Sequence, residues 1–231
     1  MAETRTIGVF GAGWVGLVTG GCFAELGHEV IVRDVMPERI EALRAGQVPF
    51  HEADLPEVLE RNRDRIRYTL DAGELDHADA LIICVQTPPT YSGDADLSFV
   101  WSALDDLPRV ERRQILVMKS TVPVGTGEKV RAALEGRGLT NVGYVSNPEF
   151  LAEGHAVRDF LNPDRIVIGA FAAEDARPAD HRGGDRRQLE ADAEVSLGGR
   201  GPRRRQHAGD ARRQPGQRVA GAAHGADADA R

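Results

Sequence analysis

Three glycines in a short loop are the residues whose spacing most directly indicates chemistry in this chain. Gly11, Gly13 and Gly16 follow the apolar residues 7–10 in the pattern GxGxxG, and Asp34 stands eighteen residues after the last glycine. In this pattern the first glycine permits a tight turn, the second lets backbone N–H groups approach a pyrophosphate, and the third allows close helix packing. An acid at the distance of Asp34 accepts hydrogen bonds from a ribose. The loop predicts a dinucleotide site at the positive end of a helix, the alternative being an ordinary glycine-rich turn without a ligand.

Apolar strands that alternate with helices must position these residues. The pattern predicts strands at residues 7–10, 29–33, 66–69, 80–85, 115–118, 142–146 and 165–169, and helices at residues 15–26, 37–45, 55–65, 97–107 and 126–136. Such alternation is typical of an α/β fold in which helices cover both faces of a mostly parallel sheet. With right-handed connections, residues 1–171 are expected to form a doubly wound, Rossmann-like domain.

Residues 172–231 differ from the rest of the chain in composition. All aromatic residues lie at or before Phe171, and the remainder is rich in Ala, Arg, Gly and Asp without hydrophobic periodicity. A segment of this kind buries too little apolar surface to offset its ordering entropy, so we expect it to be disordered. Three interpretations of this segment remain open: a basic arm, a linker without a role, or a GC-rich gene translated in a shifted frame after about residues 174–180. The abrupt change in composition favours the shifted frame.

Composition also bounds the setting in which the protein works. The 231 residues suit one large or two small domains, and no apolar run approaches the roughly 20 residues of a membrane span. Cys22 and Cys84 have neither a metal-binding nor a redox spacing, so we expect buried thiols, no disulfide and no metal site. The N-terminus enters a strand without room for a signal peptide, which indicates a cytoplasmic protein. The net charge of −7 is the sum of −9 on residues 1–171 and +2 on residues 172–231, and the acidic first part argues against nucleic-acid binding there.

Six further motifs make the interpretation more specific. They are CVQTPP at residues 84–89, GDADLS at 93–98, KSTVPVGT at 119–126, SNPEFLAEG at 146–154, AVRDF at 156–160 and NPDRIVIG at 162–169. In this order and spacing they resemble the N-terminal half of the UDP-glucose 6-dehydrogenases, within the UDP-glucose/GDP-mannose dehydrogenase family. The resemblance covers residues 5 to about 171. UDP-N-acetylmannosamine dehydrogenases share the architecture, but the third and fourth motifs look more like the UDP-glucose branch.

The resemblance implies NAD as the cofactor and assigns residues to it. These residues are Gly11, Ala12, Gly13, Trp14, Val15, Gly16, Asp34, Arg39, Val85, Thr87, Pro88, Ser120, Thr121, Val122 and Glu153. Independently of the family, residues 85–89 lie at the carboxyl end of the fourth predicted strand, where ligands of open α/β sheets bind. The alternatives are a surface arginine for Arg39, a turn for Thr87 and Pro88, and a helix cap for Thr121.

The resemblance also implies catalytic and substrate-binding residues. Glu149 corresponds to the general base, and the hydroxyl of Thr121 would help hold the water that it activates. The residues that would lie along UDP-glucose are Glu149, Phe150, Leu151, Ala152 and Glu153. From the residues alone, burial in an apolar stretch would raise the pKa of Glu149 and suit it to base catalysis. Glu153, four residues later, would face the same cleft if the segment were helical, and the alternative is a pair of surface acids.

The implied reaction oxidises the C6 hydroxymethyl of UDP-glucose to the carboxylate of UDP-glucuronate while two NAD are reduced in turn. In the family a cysteine thiolate captures the aldehyde, and water hydrolyses the resulting thioester. That cysteine, the uridine pocket and the helix through which the family forms homodimers belong to a second half that has no counterpart in these residues. We therefore expect no turnover from this chain alone. The alternative is an NAD-binding module without catalysis, or a relative of the UDP-N-acetylmannosamine enzymes.

Overall fold

The computed structural model describes residues 4–172, residues 174–175 and the backbone of one further strand at residues 193–197. The strands are β1 (Thr6–Phe10), β2 (Glu29–Arg33), β3 (Ile66–Thr69), β4 (Ala80–Ile83), β5 (Gln114–Met118), β6 (Val142–Ser146), β7 (Ile166–Ala170) and β8 (Ala193–Leu197). The helices are α1 (Trp14–Glu25), α2 (Pro37–Arg44), α3 (Leu55–Arg61), α4 (Ser98–Asp105), α5 (Thr126–Gly136) and α6 (Ala156–Leu161), with 3-10 turns at Arg63–Arg65 and Ala72–Leu75.

One sheet runs in the order β3-β2-β1-β4-β5-β6-β7-β8. All neighbouring strands are parallel except β6 and β7, which pair antiparallel through Val145↔Ala170 and Ser146↔Gly169. The strand order reverses direction between β1 and β4, and such a reversal opens a crevice at the carboxyl ends of the two strands. The doubly wound, mostly parallel fold predicted from the sequence is confirmed.

Alternate residues of the central strands face opposite sides of the sheet. In β2, Val30 and Val32 belong to one buried cluster together with residues of α1 and α3, whereas Ile31 belongs to a second cluster with residues of α4 and α5. Successive side chains of a strand point to opposite faces, so a strand buried on both sides reads as a continuous apolar run. The core thus consists of two layers that hold the carboxyl ends of the strands in fixed positions.

Most predicted helices agree with the structure to within two residues at each end, but one is four residues shorter and one further helix is present. The helix predicted at residues 55–65 ends at Arg61, and a 3-10 turn follows. Asn62 lies at the break, where its side-chain amide donates to the carbonyl of Val58 and to Glu25, a local bond that competes with continued helix. The short helix α6 is not predicted from the sequence, because six residues carry too little periodicity to reveal it.

The strand β8 lies within the segment for which the sequence predicts disorder. It pairs in parallel with β7 from Ile166↔Ala193 to Ala170↔Leu197. The backbone groups along the outer side of an edge strand are available to pair with any added strand, which is the physical reason for the difference. The other residues of the 172–231 segment, apart from 172, 174 and 175, lie outside the described residues, so the prediction for them stays a prediction.

Candidate functional site

The glycine loop lies directly against the end of the neighbouring strand. Gly11 adopts a φ of +101°, and its N–H donates to the carbonyl of Arg33 at 2.8 Å. A Cβ added at Gly11 would lie 2.6 Å from the carbonyl oxygen of Cys84, and one added at Gly16 would lie 1.8 Å from the carbonyl oxygen of Gly11. Both positions therefore require glycine, one for the turn and the other for the approach of α1 to the loop.

Gly13 is different, because the space around it is open. It is the N-cap residue of α1 with φ −79° and ψ −170°, no side chain caps the helix there, and a Cβ on it would meet nothing within 4 Å. The first-turn N–H groups of a helix lack partners within the helix, and the helix dipole makes this end positive. An open cradle beside such N–H groups fits a pyrophosphate, so the residues present suit a dinucleotide.

Asp34 joins the glycine loop to the end of β2. Its side chain is 5% exposed, and Oδ2 accepts the N–H of Ala12 at 2.7 Å while Oδ1 accepts the N–H of Met36 at 3.0 Å. Arg39 on α2 donates to Oδ2 at 3.0 Å and is 38% exposed. A carboxylate oxygen can accept two hydrogen bonds. Oδ1, which accepts the N–H of Met36, therefore retains capacity for a ribose hydroxyl. The structure thus brings Asp34 and Arg39 to the loop.

The segments that follow β4 and β5 are tied to each other. The hydroxyl of Ser120 donates to the carbonyl of Val85 at 2.6 Å, and the hydroxyl of Thr87 donates to the carbonyl of Thr121 at 2.8 Å. Ser120 is buried, whereas Thr121 is exposed, and α5 begins only at Thr126 with Gly125 as its N-cap. Thr121 is therefore not a helix cap. Val85, Thr87, Pro88 and Val122 are half-buried on the same carboxyl edge as the glycine loop.

The segment 149–155 is not helical, contrary to the geometry expected for its two glutamates. α6 begins at Ala156, so Glu149 and Glu153 do not lie one helical turn apart. Glu149 is half-buried rather than buried, and its Oε2 accepts the N–H of Leu151 at 2.7 Å. Glu153 is exposed. A proline at 148 disfavours helix before it and local carboxylate bonds shape the turn after it, which explains the difference.

The side chains around this segment hold it against the protein. Arg165 lies 4.3 Å from the ring centroid of Phe150, which remains 47% exposed. The N–H of Ala152, an exposed residue, donates to Asp159 at 3.0 Å. These contacts leave the outer side of residues 150–152 free for a ligand.

The side chain of Lys119 is buried on the inner side of the same region. From the sequence alone, Lys119 is interpreted as a structural residue. Its side chain donates from Nζ to Oδ1 of Asn147 at 3.1 Å and lies 5.6 Å from the ring centroid of Phe160. Burial lowers the pKa of Lys119, while the nearby groups Cys84 and Glu149 act in the opposite direction. The carboxylate of Glu149 therefore lies within electrostatic range of this amine.

Sequence analysis did not identify Glu52, a buried carboxylate that contacts both the loop and the 149–155 segment. It is 1% exposed, and Oε2 accepts Nε1–H of Trp14 at 2.7 Å and the N–H of Gly154 at 3.0 Å. Oε1 accepts the N–H of Ala156 at 3.1 Å. Burial raises the pKa of this carboxyl, but the three hydrogen bonds outweigh burial and hold the pKa of Glu52 below its usual range. Only its place before an apolar helix could have marked it in the sequence.

Both cysteines are free and buried, as the sequence predicts. Burial raises the pKa of Cys22 and of Cys84 to about 12 in each case. Neither is a thiolate near neutral pH, so neither can act as a nucleophile in this conformation. Among the described residues there is no group of three or more His, Cys, Asp or Glu that could hold a metal ion. The same part of the chain contains no helix whose length and apolarity would let it span a membrane.

Comparison with known proteins agrees with this geometry. The family model for the UDP-glucose/GDP-mannose dehydrogenase family, NAD binding domain, matches residues 5–181. A UDP-glucose 6-dehydrogenase of Rhizobium meliloti is 44% identical over 174 residues, which are 73% of this chain and 40% of that protein.

Two solved structures share the fold. A UDP-glucose dehydrogenase from Pyrobaculum islandicum is 37% identical with a TM-score of 0.74, over 84% of this chain and 46% of that one. A GDP-mannose dehydrogenase from Pseudomonas aeruginosa, solved as a ternary complex, is 30% identical with a TM-score of 0.71, over 83% and 45%. The chain spans less than half the length of these relatives.

Proposed function

Because the chain belongs to the UDP-glucose/GDP-mannose dehydrogenase family and contains its NAD-binding domain, we propose that NAD binds across the crevice between β1 and β4. The observation that carries this proposal is the open space at Gly13 beside the uncapped start of α1, with Asp34 only 2.7 Å from the N–H of Ala12. The pyrophosphate would lie on the first-turn N–H groups, and Asp34 would accept the ribose hydroxyls.

The other residues of this site would complete the dinucleotide contacts. Arg39 lies on the open side of Asp34 and would face the adenosine end as a cation. Val85, Thr87, Pro88, Ser120, Thr121 and Val122 would line the path towards the nicotinamide, since they follow β4 and β5 on the carboxyl edge. Bound NAD supplies a hydride acceptor. The hydrogen bonds of Ser120 and Thr87 tie these two loops to each other before any ligand arrives.

For the substrate, we propose a nucleoside diphosphate sugar, with UDP-glucose as the preferred member. The proposal is supported by the identity of 44% and 37% to proteins named for UDP-glucose. Residues 149–153 would lie along the sugar, with Glu149 accepting a proton from water near the hydroxyl of Thr121. The position of Glu149 supports this role, because its half-buried carboxylate lies in the non-helical segment that follows β6, where its Oε2 accepts the N–H of Leu151.

We further propose that these 231 residues bind NAD without turning over UDP-glucose on their own. Covalent capture of an aldehyde needs a thiolate, and both thiols of the chain are buried with a pKa of about 12. The isolated chain is therefore proposed to be an NAD-binding module that does not catalyse, which is the second candidate function. The family reaction is that of the enzymes from which it derives. A cytoplasmic location belongs to this proposal too.

The test is a calorimetric titration of the purified chain with NAD, repeated in the presence of UDP-glucose. We expect saturable one-site binding of NAD, with an affinity that UDP-glucose changes less than about twofold, because residues 149–153 are only one side of a sugar pocket. A chain that remains folded by circular dichroism and takes up no NAD would refute the proposal.

A further inference from the structure

Glu52 has no place in the chemistry described so far, yet it accepts as many hydrogen bonds as Asp34. One carboxylate that is 1% exposed accepts three N–H donors, from Trp14, Gly154 and Ala156. Charge-assisted hydrogen bonds to an ionised acid are roughly twice as strong as neutral ones. At 1% exposure, Glu52 is not accessible to a ligand, so its role must be exerted through its partners.

The three donors belong to two segments that are far apart in the sequence. Trp14 is the first residue of α1 and the neighbour of Gly13, at which the pyrophosphate is proposed to bind. Gly154 follows residues 149–153, the segment proposed to lie along the sugar. Ala156 is the first residue of α6. Glu52 is 38 residues from Trp14 and 102 residues from Gly154, so it connects the two sides of the site across the fold.

The position of Glu52 is itself rigid. The residue precedes α3, whose side chains Leu55, Val58 and Leu59 are buried in the core cluster that also contains α1. Gly21 on α1 lets these side chains approach closely, since a Cβ there would lie 3.0 Å from a methyl carbon of Leu59. The carboxylate is therefore held on a fixed support between two segments that a ligand would contact.

We propose that Glu52 is a positioning residue that couples dinucleotide binding at the start of α1 to the order of residues 149–156. This inference rests on the proposed function, because it takes the glycine loop as the dinucleotide site. A dinucleotide bound at the first turn of α1 restricts the motion of the Trp14 side chain. Through its hydrogen bond to Trp14 the Glu52 carboxylate loses motion too, and so do the N–H groups of Gly154 and Ala156 that donate to it. Coupling between two sites is reciprocal, so order in the 149–156 segment also favours dinucleotide binding.

The decisive variant is Trp14→Phe, which keeps a six-membered aromatic ring and removes the five-membered ring whose N–H contacts Glu52. The measurement is hydrogen–deuterium exchange at the N–H groups of Gly154 and Ala156 in the full chain, with and without saturating NAD. The matched control is Trp101→Phe, which makes the same substitution at a half-buried residue that packs against the other core cluster.

In the natural chain and in Trp101→Phe, we expect NAD to slow exchange at the two N–H groups by about tenfold, within the usual range of coupling between sites. In Trp14→Phe the slowing should fall below about twofold, whereas exchange without NAD stays within about twofold of the natural chain, because Glu52 still accepts both N–H groups. A purely structural role of Glu52 would not produce this difference between the NAD-free and NAD-bound states.

Glu52→Gln provides an independent check if Trp14→Phe does not fold. It keeps the size of the side chain and removes the charge, so we expect faster exchange at both N–H groups without NAD and about tenfold weaker NAD binding. The proposal is overturned if Trp14→Phe retains the full slowing, if Glu52→Gln binds NAD as the natural chain does, or if the natural chain binds NAD without any slowing. A natural chain that binds no NAD overturns the proposed function itself.

Discussion

Asp34 carries two tasks in a single carboxylate. It accepts the N–H groups of Ala12 and Met36, which shapes the loop, and it pairs with Arg39 on the side open to a ligand. A buried acid that organises its own binding loop needs no rearrangement when the ligand arrives, which reduces the cost of binding. Loss of the acid should therefore affect the ligand more than the fold.

We expect Asp34→Ala to weaken NAD binding by between about tenfold and a hundredfold, because hydrogen bonds to a charged group contribute about 1.5–3 kcal/mol. The matched control is Asp64→Ala, which removes an acid whose side chain is 99% exposed. Calorimetric titration with NAD measures the affinities, and thermal unfolding shows that each variant is folded. Equal affinities for Asp34→Ala and Asp64→Ala would contradict the assignment.

The two thiols allow a test of burial at the scale of single residues. With burial raising the pKa of Cys22 and Cys84 to about 12, only about one thiol in ten thousand is ionised at pH 8. We expect neither thiol of the native chain to react with an aromatic disulfide reagent within minutes at this pH, and both to react at once in denaturant. The native rate should rise with pH towards 12, since the thiolate is the reacting species. Rapid reaction of either thiol in the folded chain would show that it is accessible.

At the scale of elements, the connection between β1 and α1 separates a structural glycine from a ligand-binding one. Gly16 faces the carbonyl of Gly11 at a distance that leaves no room for a Cβ, whereas Gly13 faces open space. The same loop thus contains one position set by packing and one position available to a pyrophosphate.

Gly13→Ala should therefore weaken NAD binding more than stability, and Gly16→Ala should mainly reduce stability. Gly13 has a φ that alanine adopts without strain, so we expect a loss of stability of no more than about 1 kcal/mol and at least tenfold weaker NAD binding. Gly16→Ala should destabilise the chain by about 3 kcal/mol or prevent folding, since overlapping backbone atoms must separate. Denaturant unfolding and NAD titration of both variants distinguish the outcomes. Natural affinity in Gly13→Ala would mean that the pyrophosphate does not approach this position.

At the scale of the whole molecule, the chain corresponds to only part of its relatives. It spans 40% of the Rhizobium meliloti relative and 46% of the Pyrobaculum islandicum chain. The crevice at the carboxyl edge brings together the residues proposed to bind a dinucleotide, and Phe150, Ala152 and Glu153 are the exposed residues of the segment proposed to lie along a sugar nucleotide. Binding and catalysis are therefore expected to be separable in these 231 residues.

We expect no NADH above background when the purified chain is incubated with NAD and UDP-glucose. The physical reason is that the thiolate needed to capture the aldehyde is not supplied by Cys22 or Cys84, both of which are buried and protonated. Absorbance of NADH measures the rate, a sample without UDP-glucose sets the background, and the Rhizobium meliloti relative serves as the active control. NADH formation that depends on UDP-glucose would contradict the proposal that the isolated chain is inactive.

The sequence by itself determined the features that depend on local pattern. The continuous apolar runs of β1, β2 and β4 predicted buried parallel strands, and GxGxxG with Asp34 predicted where a dinucleotide would lie, because these signals involve neighbouring residues and backbone geometry. The motif at residues 146–154 identified the family but not its local shape, since a proline and two short-range carboxylate contacts replaced the expected helical turn.

Only the tertiary structure decided which distant residues meet. The contact of Glu52 with Trp14 and Gly154, the burial of Lys119 beside Asn147, and the antiparallel pairing of β6 with β7 depend on how helices and strands pack. A polar residue in a loop reads the same in the sequence whether it is solvated or buried. Its charge acquires a role only when packing removes water and brings donors from other elements within hydrogen-bonding distance.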